Sequence, residues 1–255
     1  MKIAASDFDG TISFHEKGIP TENLDAIRAW QTAGHKFGLV TGRNLGLVRH
    51  GLEGYDLHPD FCVCLNGAVA FDGEGKLLFA ELMGQHLLNR LLDSAVARGS
   101  RRIGILQPID SYGYVRRPSS EDCMLGKLPI QAIGEAELRN IPNVAQVSFL
   151  SDSPEAGMQG VEEIHRGFRG QLSAVSNGKF IDVVVSGNDK GSGMERLLEC
   201  MGWQGMKVFA IGDNLNDLPM LRKFCGFTVE SGTMEVKAEA EKVYVSVAEM
   251  LRENL

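Results

Sequence analysis

The chain has 255 residues, of which 44% are hydrophobic, and its formal net charge at neutral pH is −7. The length suffices for a sizeable core with a smaller companion domain, and the acidic balance argues against general affinity for nucleic acid or anionic membranes. No apolar run approaches the roughly 20 residues of a membrane-spanning helix, and no signal-peptide pattern opens the chain. We therefore expect a soluble, cytoplasmic protein that has neither nucleic-acid nor membrane partners.

The first 80 residues alternate between strand and helix patterns. The predicted elements are a strand over 2–5, a helix from Thr21, a strand over 36–40, a helix from Asn44 and a strand over 61–65. Thr21 is expected to cap the first helix, and residues 69–79 have the pattern of a hairpin. The alternating order indicates a parallel sheet that is covered by helices.

The pattern changes near residue 81. Helices are predicted from Leu87 to Gly99 and near 130–139 and 154–166, and strands over 102–106, 112–115, 144–150, 171–175 and 180–185. Alternation then returns, with a strand over 207–211 between helices and a last helix that Ser246 caps. The predicted fold class is α/β. Residues 1–80 and 181–255 form a Rossmann-like parallel sheet core with helices on both faces, and residues 81–180 form an inserted α+β domain.

Two carboxylates lie where the first strand is predicted to end, in Ser6-Asp7-Phe8-Asp9-Gly10-Thr11. The alternation of a strand would point Asp7 and Asp9 to the same side, where like charges are costly unless a cation or a proton relieves them. Mg²⁺ suits such a pair because it prefers carboxylate oxygens and keeps waters for a substrate phosphate. Gly10 lets the backbone approach a ligand closely. Taken alone, the pattern favours a turn with two solvated acids.

Four such signals follow strands or begin helices of the predicted sheet. They are Asp7-x-Asp9-Gly10-Thr11, Thr41-Gly42-Arg43, Asn188-Asp189-Lys190-Gly191 and Gly212-Asp213-x-x-Asn216-Asp217. Parallel sheets bind ligands beyond the carboxyl ends of their strands. Each signal also has a structural alternative: Thr41 as a helix cap, Gly42 in a turn, Lys190 on the surface, Asp213 and Asp217 as turn and cap residues. Arg43 is compatible with the mouth of a site or with a surface ion pair.

The order and placement of these motifs resemble the haloacid dehalogenase superfamily of aspartate-nucleophile phosphatases, over essentially the whole chain. The insertion is similar to the α/β cap of the Cof-like, type IIB sugar-phosphatase branch, and so is Asn66-Gly67-Ala68 after the third strand. The resemblance implies a Mg²⁺-dependent phosphatase with a small phosphomonoester substrate, such as a sugar phosphate or a phosphorylated cofactor. The inserted domain would then be a cap that selects the substrate.

The resemblance also implies a role for each motif residue. Asp7 would be the nucleophile that forms an aspartyl-phosphate, and Asp9 the general acid and base. Mg²⁺ would be held by the carboxylates of Asp7 and Asp213 and by the backbone carbonyl of Asp9. The substrate phosphate would be bound by Thr41, Gly42, Lys190 (also counted as catalytic) and Asn216, and the supporting residues would be Gly10, Thr11 and Asp217.

Two other functions remain open at this point. A phosphotransferase or phosphomutase would use the same intermediate and pass the phosphoryl group to a sugar hydroxyl, and a phosphate-binding regulator would have little turnover. The chain is equally compatible with a monomer and a homodimer. In the predicted cap, the polar residues Arg116, Arg117, Glu121, Asp122 and Lys127 suit either substrate contact or a solvated loop. In the loop after the first motif, His15 is a candidate for the site entrance.

Overall fold

A computed structural model describes residues 1–14, 17–119 and 128–255. Its strands are β1 (Lys2–Ser6), β2 (Lys36–Val40), β3 (Phe61–Cys64), β4 (Val69–Asp72), β5 (Leu77–Ala80), β6 (Arg102–Leu106), β7 (Ser111–Val115), β8 (Gln131–Ala132), β9 (Gln146–Leu150), β10 (Leu172–Asn177), β11 (Phe180–Val185), β12 (Lys207–Gly212), β13 (Cys225–Val229) and β14 (Lys242–Tyr244). Its helices are α1 (Thr21–Thr32), α2 (Leu45–Gly51), α3 (Gln85–Leu92), α4 (Ala95–Gly99), α5 (Pro154–Gly167), α6 (Lys190–Cys200), α7 (Leu218–Lys223), α8 (Met234–Glu239) and α9 (Val247–Asn254).

The larger sheet places the ends of several motif-bearing strands at one edge. Within the described ranges its order is β14-β13-β12-β1-β2-β3-β4-β5. Neighbouring strands from β14 to β3 run parallel, and β4 is antiparallel to β3. Ser6 of β1 lies level with Ile211 of β12 and Leu39 of β2. The residues that follow these three strands therefore emerge together, at the carboxyl edge of the sheet.

Helices cover both faces of this sheet, because its strands alternate apolar side chains to either side. On one face, Met194 and Leu197 of α6 pack with Ile3 and Ala5 of β1. On the other, the Trp30 ring of α1 meets the Phe209 ring of β12 edge to face, with ring centroids 6.0 Å apart. The prediction of an α/β fold with a parallel sheet and helices on both faces is confirmed.

The second sheet belongs to the inserted segment and has the order β10-β11-β9-β6-β7-β8. Its strand pairs are antiparallel except β7 with β8. Apolar residues of α3, α4 and α5 form one core with this sheet, and the partly buried Tyr112 and Tyr114 pack against that core. The segment is thus the α+β unit that the change of pattern predicted.

The described residues separate into two compact units. The first comprises residues 1–41, 52–79 and 189–255, and the second comprises residues 42–51 and 80–188. The predicted division into a core and a cap at residues 81 and 180 remains a prediction, and β11 lies across its second limit.

Three local expectations were wrong. Thr21 is the first residue of α1 and does not cap it, since Pro20 precedes the helix and no side chain bonds to its first amides. The helix predicted near 130–139 is a short strand, β8, followed by a 3₁₀ turn over Glu135–Asn140. The helix predicted from Leu87 to Gly99 is divided, because Ser94 accepts a hydrogen bond from the Ala97 amide and starts α4.

Two smaller expectations concern chemistry and membranes. Cys62 and Cys64 are buried free thiols of β3, as expected for core positions. No helix in the described part of the chain has both the length and the apolar character needed to span a bilayer.

Candidate active site

The candidate site is built on the carboxyl edge of the larger sheet, within the first unit. Asp7 directly follows β1, and its amide donates to the Ile211 carbonyl of the neighbouring strand at 2.9 Å. This bond holds the Asp7 backbone in the line of the sheet, one residue beyond the regular pairing. Asp7 is buried at 6% exposure, so its carboxylate must find partners inside the protein.

Lys190 provides the main partner. Its Nζ lies 2.6 Å from Asp7 Oδ1 and 2.6 Å from Asp217 Oδ1, and the residue is 1% exposed. Lys190 is the first residue of α6, which Asp189 caps through a hydrogen bond from the Ser192 amide, while Ser192 Oγ accepts from the Asp189 amide. The alternative of a surface lysine is therefore excluded.

Asp217 organises the loop that follows β12. While its Oδ1 accepts from Lys190, its Oδ2 accepts from the backbone amides of Asp213 and Asn214, each at 3.0 Å. Both carboxylate oxygens are thus engaged by the protein. Asp217 therefore fixes the position of the Asp213 backbone and holds Lys190, while its supporting role in catalysis remains a prediction.

Gly10 and Thr11 shape the approach to Asp213. Thr11 Oγ1 donates to Asp213 Oδ1 at 3.0 Å. Gly10 has φ +81°, a conformation that favours glycine, and a Cβ there would lie 2.5 Å from Asp213 Oδ2. The Asp-x-Asp-Gly-Thr sequence thus places Gly10 and the Thr11 hydroxyl beside the carboxylate of Asp213, which lies 202 residues after Thr11.

The pKa shifts report how strongly the site concentrates charge. Burial raises the pKa of the Asp7 carboxyl well above its usual value, an effect that the Lys190 ammonium opposes and the carboxylates of Asp217 and Asp213 reinforce. Burial also raises the pKa of Asp213, with Asp217 adding to the rise. Burial alone would lower the pKa of Lys190, but Asp217 and Asp7 together raise it, so the lysine stays protonated.

The donor set fits a hard divalent cation. Ligand atoms of Asp7, Asp213 and Asp217 lie within 4.8 Å of one another. Three carboxylates and the Lys190 ammonium sum to a charge of −2 when all are ionised, which a divalent ion would neutralise. Both oxygens of Asp217 accept hydrogen bonds from the protein, so the carboxylates that suit a Mg²⁺ ion best are those of Asp7 and Asp213.

Asp9 stands apart from this group. We expected the alternation of the first strand to continue to Asp9. This was wrong, because β1 ends at Ser6. Asp9 is exposed, and its carboxylate does not belong to the group of three. Its predicted roles as acid, base and carbonyl ligand remain predictions.

Besides Lys190, the predicted phosphate-binding residues are Thr41, Gly42 and Asn216, and Arg43 is a neighbouring residue without an assigned role. Thr41 is buried and its amide donates to the Val63 carbonyl at 2.9 Å. Gly42 belongs to the second unit, where its carbonyl accepts from Gln146 Nε2 at 3.3 Å. Asn216 is buried in the first unit, and Arg43 donates to the Leu47 carbonyl at 3.2 Å.

The candidates in the cap give a different picture. Arg116 pairs with Glu135 at 2.7 Å, and Arg117 with Asp152 at 3.0 Å, so both engage neighbouring acids of the second unit. The remaining cap candidates, Glu121, Asp122 and Lys127, lie outside the described residues, and so does His15, the candidate for the site entrance.

One residue of the first unit was not assigned to the site from the sequence. Asn66, 3% exposed, accepts a hydrogen bond at its Oδ1 from Asn216 Nδ2 at 3.1 Å. The sequence offers two signals for it: its place directly after a predicted strand, and the likeness of Asn66-Gly67-Ala68 to the Cof-like branch. Nothing in the sequence indicated that it contacts a residue 150 positions away.

The chain is similar to known proteins over nearly its whole length. The haloacid dehalogenase-like hydrolase family matches residues 4–250. The pyridoxal phosphate phosphatase YbhA of Escherichia coli (strain K12) is 24% identical, covering 95% of this chain and 92% of that protein. Among solved structures, a haloacid dehalogenase-like hydrolase from B. subtilis has a TM-score of 0.88 at 20% identity, with 100% coverage of both chains. The HAD subclass IIB sugar phosphatase BT4131 has a TM-score of 0.83 at 20% identity, covering 100% of this chain and 99% of that one.

Proposed function

The chain belongs to the haloacid dehalogenase-like hydrolase family, and we propose that it is a Mg²⁺-dependent phosphatase that hydrolyses a small phosphomonoester through an aspartyl-phosphate on Asp7. The predicted family and enzyme class, a phosphoric monoester hydrolase of the haloacid dehalogenase type, are confirmed. The metal, the intermediate and the substrate are our proposal. The observation that carries it is the buried Lys190 ammonium between Asp7 and Asp217, beside the carboxylate of Asp213.

Asp7 is the proposed nucleophile. A carboxylate oxygen attacks phosphorus, the bond from phosphorus to the leaving oxygen breaks, and Asp9 donates a proton to that oxygen. In the second step, a water attacks the phosphorus of the aspartyl-phosphate while Asp9 takes its proton. The bond between phosphorus and the Asp7 oxygen then breaks, so inorganic phosphate is released and Asp7 is restored.

Lys190 has two tasks in this scheme. In the resting site its ammonium opposes the rise in the pKa of the buried Asp7, and so favours the ionised, nucleophilic form of that carboxyl. As charge develops on the transferring oxygens, the same ammonium stabilises it. Thr41, Gly42 and Asn216 are the proposed donors to the remaining phosphoryl oxygens, and Asp217 keeps Lys190 in place.

Mg²⁺ would be held by the carboxylates of Asp7 and Asp213 and by the carbonyl of Asp9, and when bound it would screen the anionic substrate from the anionic nucleophile. The fit of the site rests on its surplus of negative charge and on the small residue, Gly10, beside Asp213.

Sugar phosphates and phosphorylated cofactors are the proposed substrates. The relative from E. coli is named a pyridoxal phosphate phosphatase, and a structural neighbour is a sugar phosphatase. Both substrates are phosphomonoesters with a polar leaving group. A net charge of −7 makes the buried Lys190 important for holding such anions.

The first test is release of phosphate from p-nitrophenyl phosphate, with Mg²⁺ and with EDTA. We expect Mg²⁺-dependent turnover by the wild type and a loss of about 10³-fold or more in Asp7→Asn. The matched control is Asp56→Asn, which removes an exposed carboxylate paired with Arg28 and should leave turnover unchanged.

Three other results would point elsewhere. Turnover that survives in Asp7→Asn would exclude the proposed nucleophile. Turnover that appears only when a sugar is added as acceptor would indicate a phosphotransferase. Binding of phosphate without turnover would indicate a regulator.

A further inference from the structure

The turn that follows β3 is strained. Leu65 and Asn66 both have φ +51°, and Gly67 has φ +95°, which makes three successive residues with left-handed backbone. This conformation is costly for residues other than glycine, above all for a bulky one such as Leu65. Such strain persists only where the surrounding structure enforces it, and it concentrates at functional sites.

The turn is enforced by two neighbours at the site. The Asn66 amide donates to the Thr41 carbonyl at 3.1 Å. Gly67 lies against the start of α6, since a Cβ on it would stand 2.0 Å from the carbonyl oxygen of Asp189. Asp189 caps the helix that begins with Lys190. The turn therefore contacts the backbone of Thr41, a predicted site residue, and of Asp189, which precedes the predicted site residue Lys190.

The Asn66 side chain completes the arrangement. Its Oδ1 accepts from Asn216 Nδ2 at 3.1 Å, and both residues are at least nine-tenths buried. A primary amide has two N–H donors on its nitrogen. A hydrogen bond to Asn66 engages one of them and sets the plane of the amide, which aims the second donor.

We propose that Asn66 is a positioning residue, which orients the Asn216 amide for a phosphoryl oxygen through this hydrogen bond, with its own left-handed backbone held between Thr41 and α6. This inference rests on the proposed function, in which Asn216 binds phosphate. It adds a residue that touches neither the substrate nor the metal. It also gives the strained turn a function, since this backbone brings the Asn66 carboxamide to Asn216.

The test is a double-mutant cycle of Asn66→Gly, Asn216→Ala and the double variant. Glycine accepts φ +51° without strain, so Asn66→Gly removes the side chain and leaves the turn its backbone conformation. The probe is inorganic phosphate in the presence of Mg²⁺, measured by its dissociation constant. The matched control is Asn143→Gly, because Asn143 has φ +53° and is exposed in the second unit.

We expect each single variant to weaken phosphate binding about tenfold, because each loses the hydrogen bond from Asn216 to the charged phosphate. The double variant should also weaken it about tenfold, because Asn66 acts through Asn216. Asn143→Gly should bind phosphate as the wild type does. A double variant weakened by about a hundredfold, the product of the single effects, would overturn the proposal, and so would unchanged binding in Asn66→Gly.

A second measurement, the exchange of side-chain amide protons, is made on the wild type and so does not require the variant to fold. In ¹⁵N-labelled wild type, the side-chain amide protons of Asn216 should exchange with solvent more slowly than those of Asn143, and Asn66→Gly should remove that protection where it folds. Equal exchange at the two residues in the wild type would overturn the proposal. Turnover of p-nitrophenyl phosphate by the wild type tests the proposed function separately, because the cycle concerns binding of phosphate alone.

Discussion

Two groups of ion pairs in the first unit have nearly the same distance between their charged atoms, but one group is buried and the other is exposed to solvent. Lys190 lies 2.6 Å from both Asp7 and Asp217, with side chains that are 1%, 8% and 0% exposed. Arg222 of α7 pairs with Glu239 of α8, Nη2 to Oε1, also at 2.6 Å, but these side chains are 58% and 39% exposed.

The comparison shows that distance alone does not decide what an ion pair does. In water, two charges interact weakly and either can be lost at little cost. In a dry site the same charges interact strongly, and removal of one partner leaves the other unsatisfied. The buried group also has a surplus of carboxylates, which the exposed pair lacks. The following changes test this difference, beginning with the largest expected effect.

Lys190→Met should have the largest effect. It leaves the carboxylates of Asp7 and Asp217 buried without their cation, so we expect a loss of about 3–5 kcal/mol in the unfolding free energy of the metal-free protein. Turnover should fall at least about 10³-fold, because the variant also removes the charge that faces the transferring group. Urea unfolding in EDTA and hydrolysis of p-nitrophenyl phosphate measure the two effects. Unchanged stability would show that the pair is not essential to the fold.

Asp9→Asn should separate catalysis from stability. Asp9 is exposed and lies outside the buried group, so the urea midpoint should match that of the wild type. Turnover should fall about 10²- to 10⁴-fold, the usual contribution of a general acid or base. Since p-nitrophenolate leaves without protonation, a phosphorylated protein should accumulate, detectable as hydroxylamine-sensitive label. A lower midpoint with normal turnover would assign Asp9 to structure.

Metal removal should give the buried group a characteristic pH dependence. Because burial raises the pKa of Asp7 above its value in the unfolded chain, the folded state holds its proton to higher pH. The unfolding free energy of the metal-free protein should therefore fall as pH rises from the usual aspartate pKa to the raised one. Asp213 contributes in the same direction.

Excess Mg²⁺ should remove this fall, since the ion binds the ionised carboxylates, and Asp7→Asn should reduce it. Urea unfolding between about pH 5 and pH 8, with EDTA and with Mg²⁺, gives the four profiles required. A metal-free profile that matches Asp7→Asn throughout would contradict the assignment.

Arg222→Met should have the smallest effect. The pair with Glu239 is exposed, so water replaces the lost partner and salt screens the remaining charge. Turnover should be unchanged, and the urea midpoint should lie close to that of the wild type and coincide with it at high salt. A loss as large as that of Lys190→Met would mean that burial does not distinguish the two groups.

Much of the fold could be predicted from local patterns. The strand over 2–5, the strand over 207–211 and the return to alternation after the inserted segment depend on runs of apolar residues, which a sheet buries wherever it lies. The positions of Asp7 and Asp213 at strand ends follow from these runs. Local patterns failed where competing short-range bonds decide the outcome, as when Ser94 starts a new helix.

The sequence by itself determined which acids and which lysine stand at the edge of a parallel sheet, because strand ends and helix starts are local properties. Only the tertiary structure decided that Lys190 is buried between Asp7 and Asp217, and that Asp217 organises Asp213 and does not stand in a solvated turn. The same holds for the bond from Asn216 to Asn66. These contacts join residues up to 183 positions apart, which no local pattern records. The register that brings Ser6, Ile211 and Leu39 level places the ends of β1, β12 and β2 at one edge of the sheet, and the contacts form there.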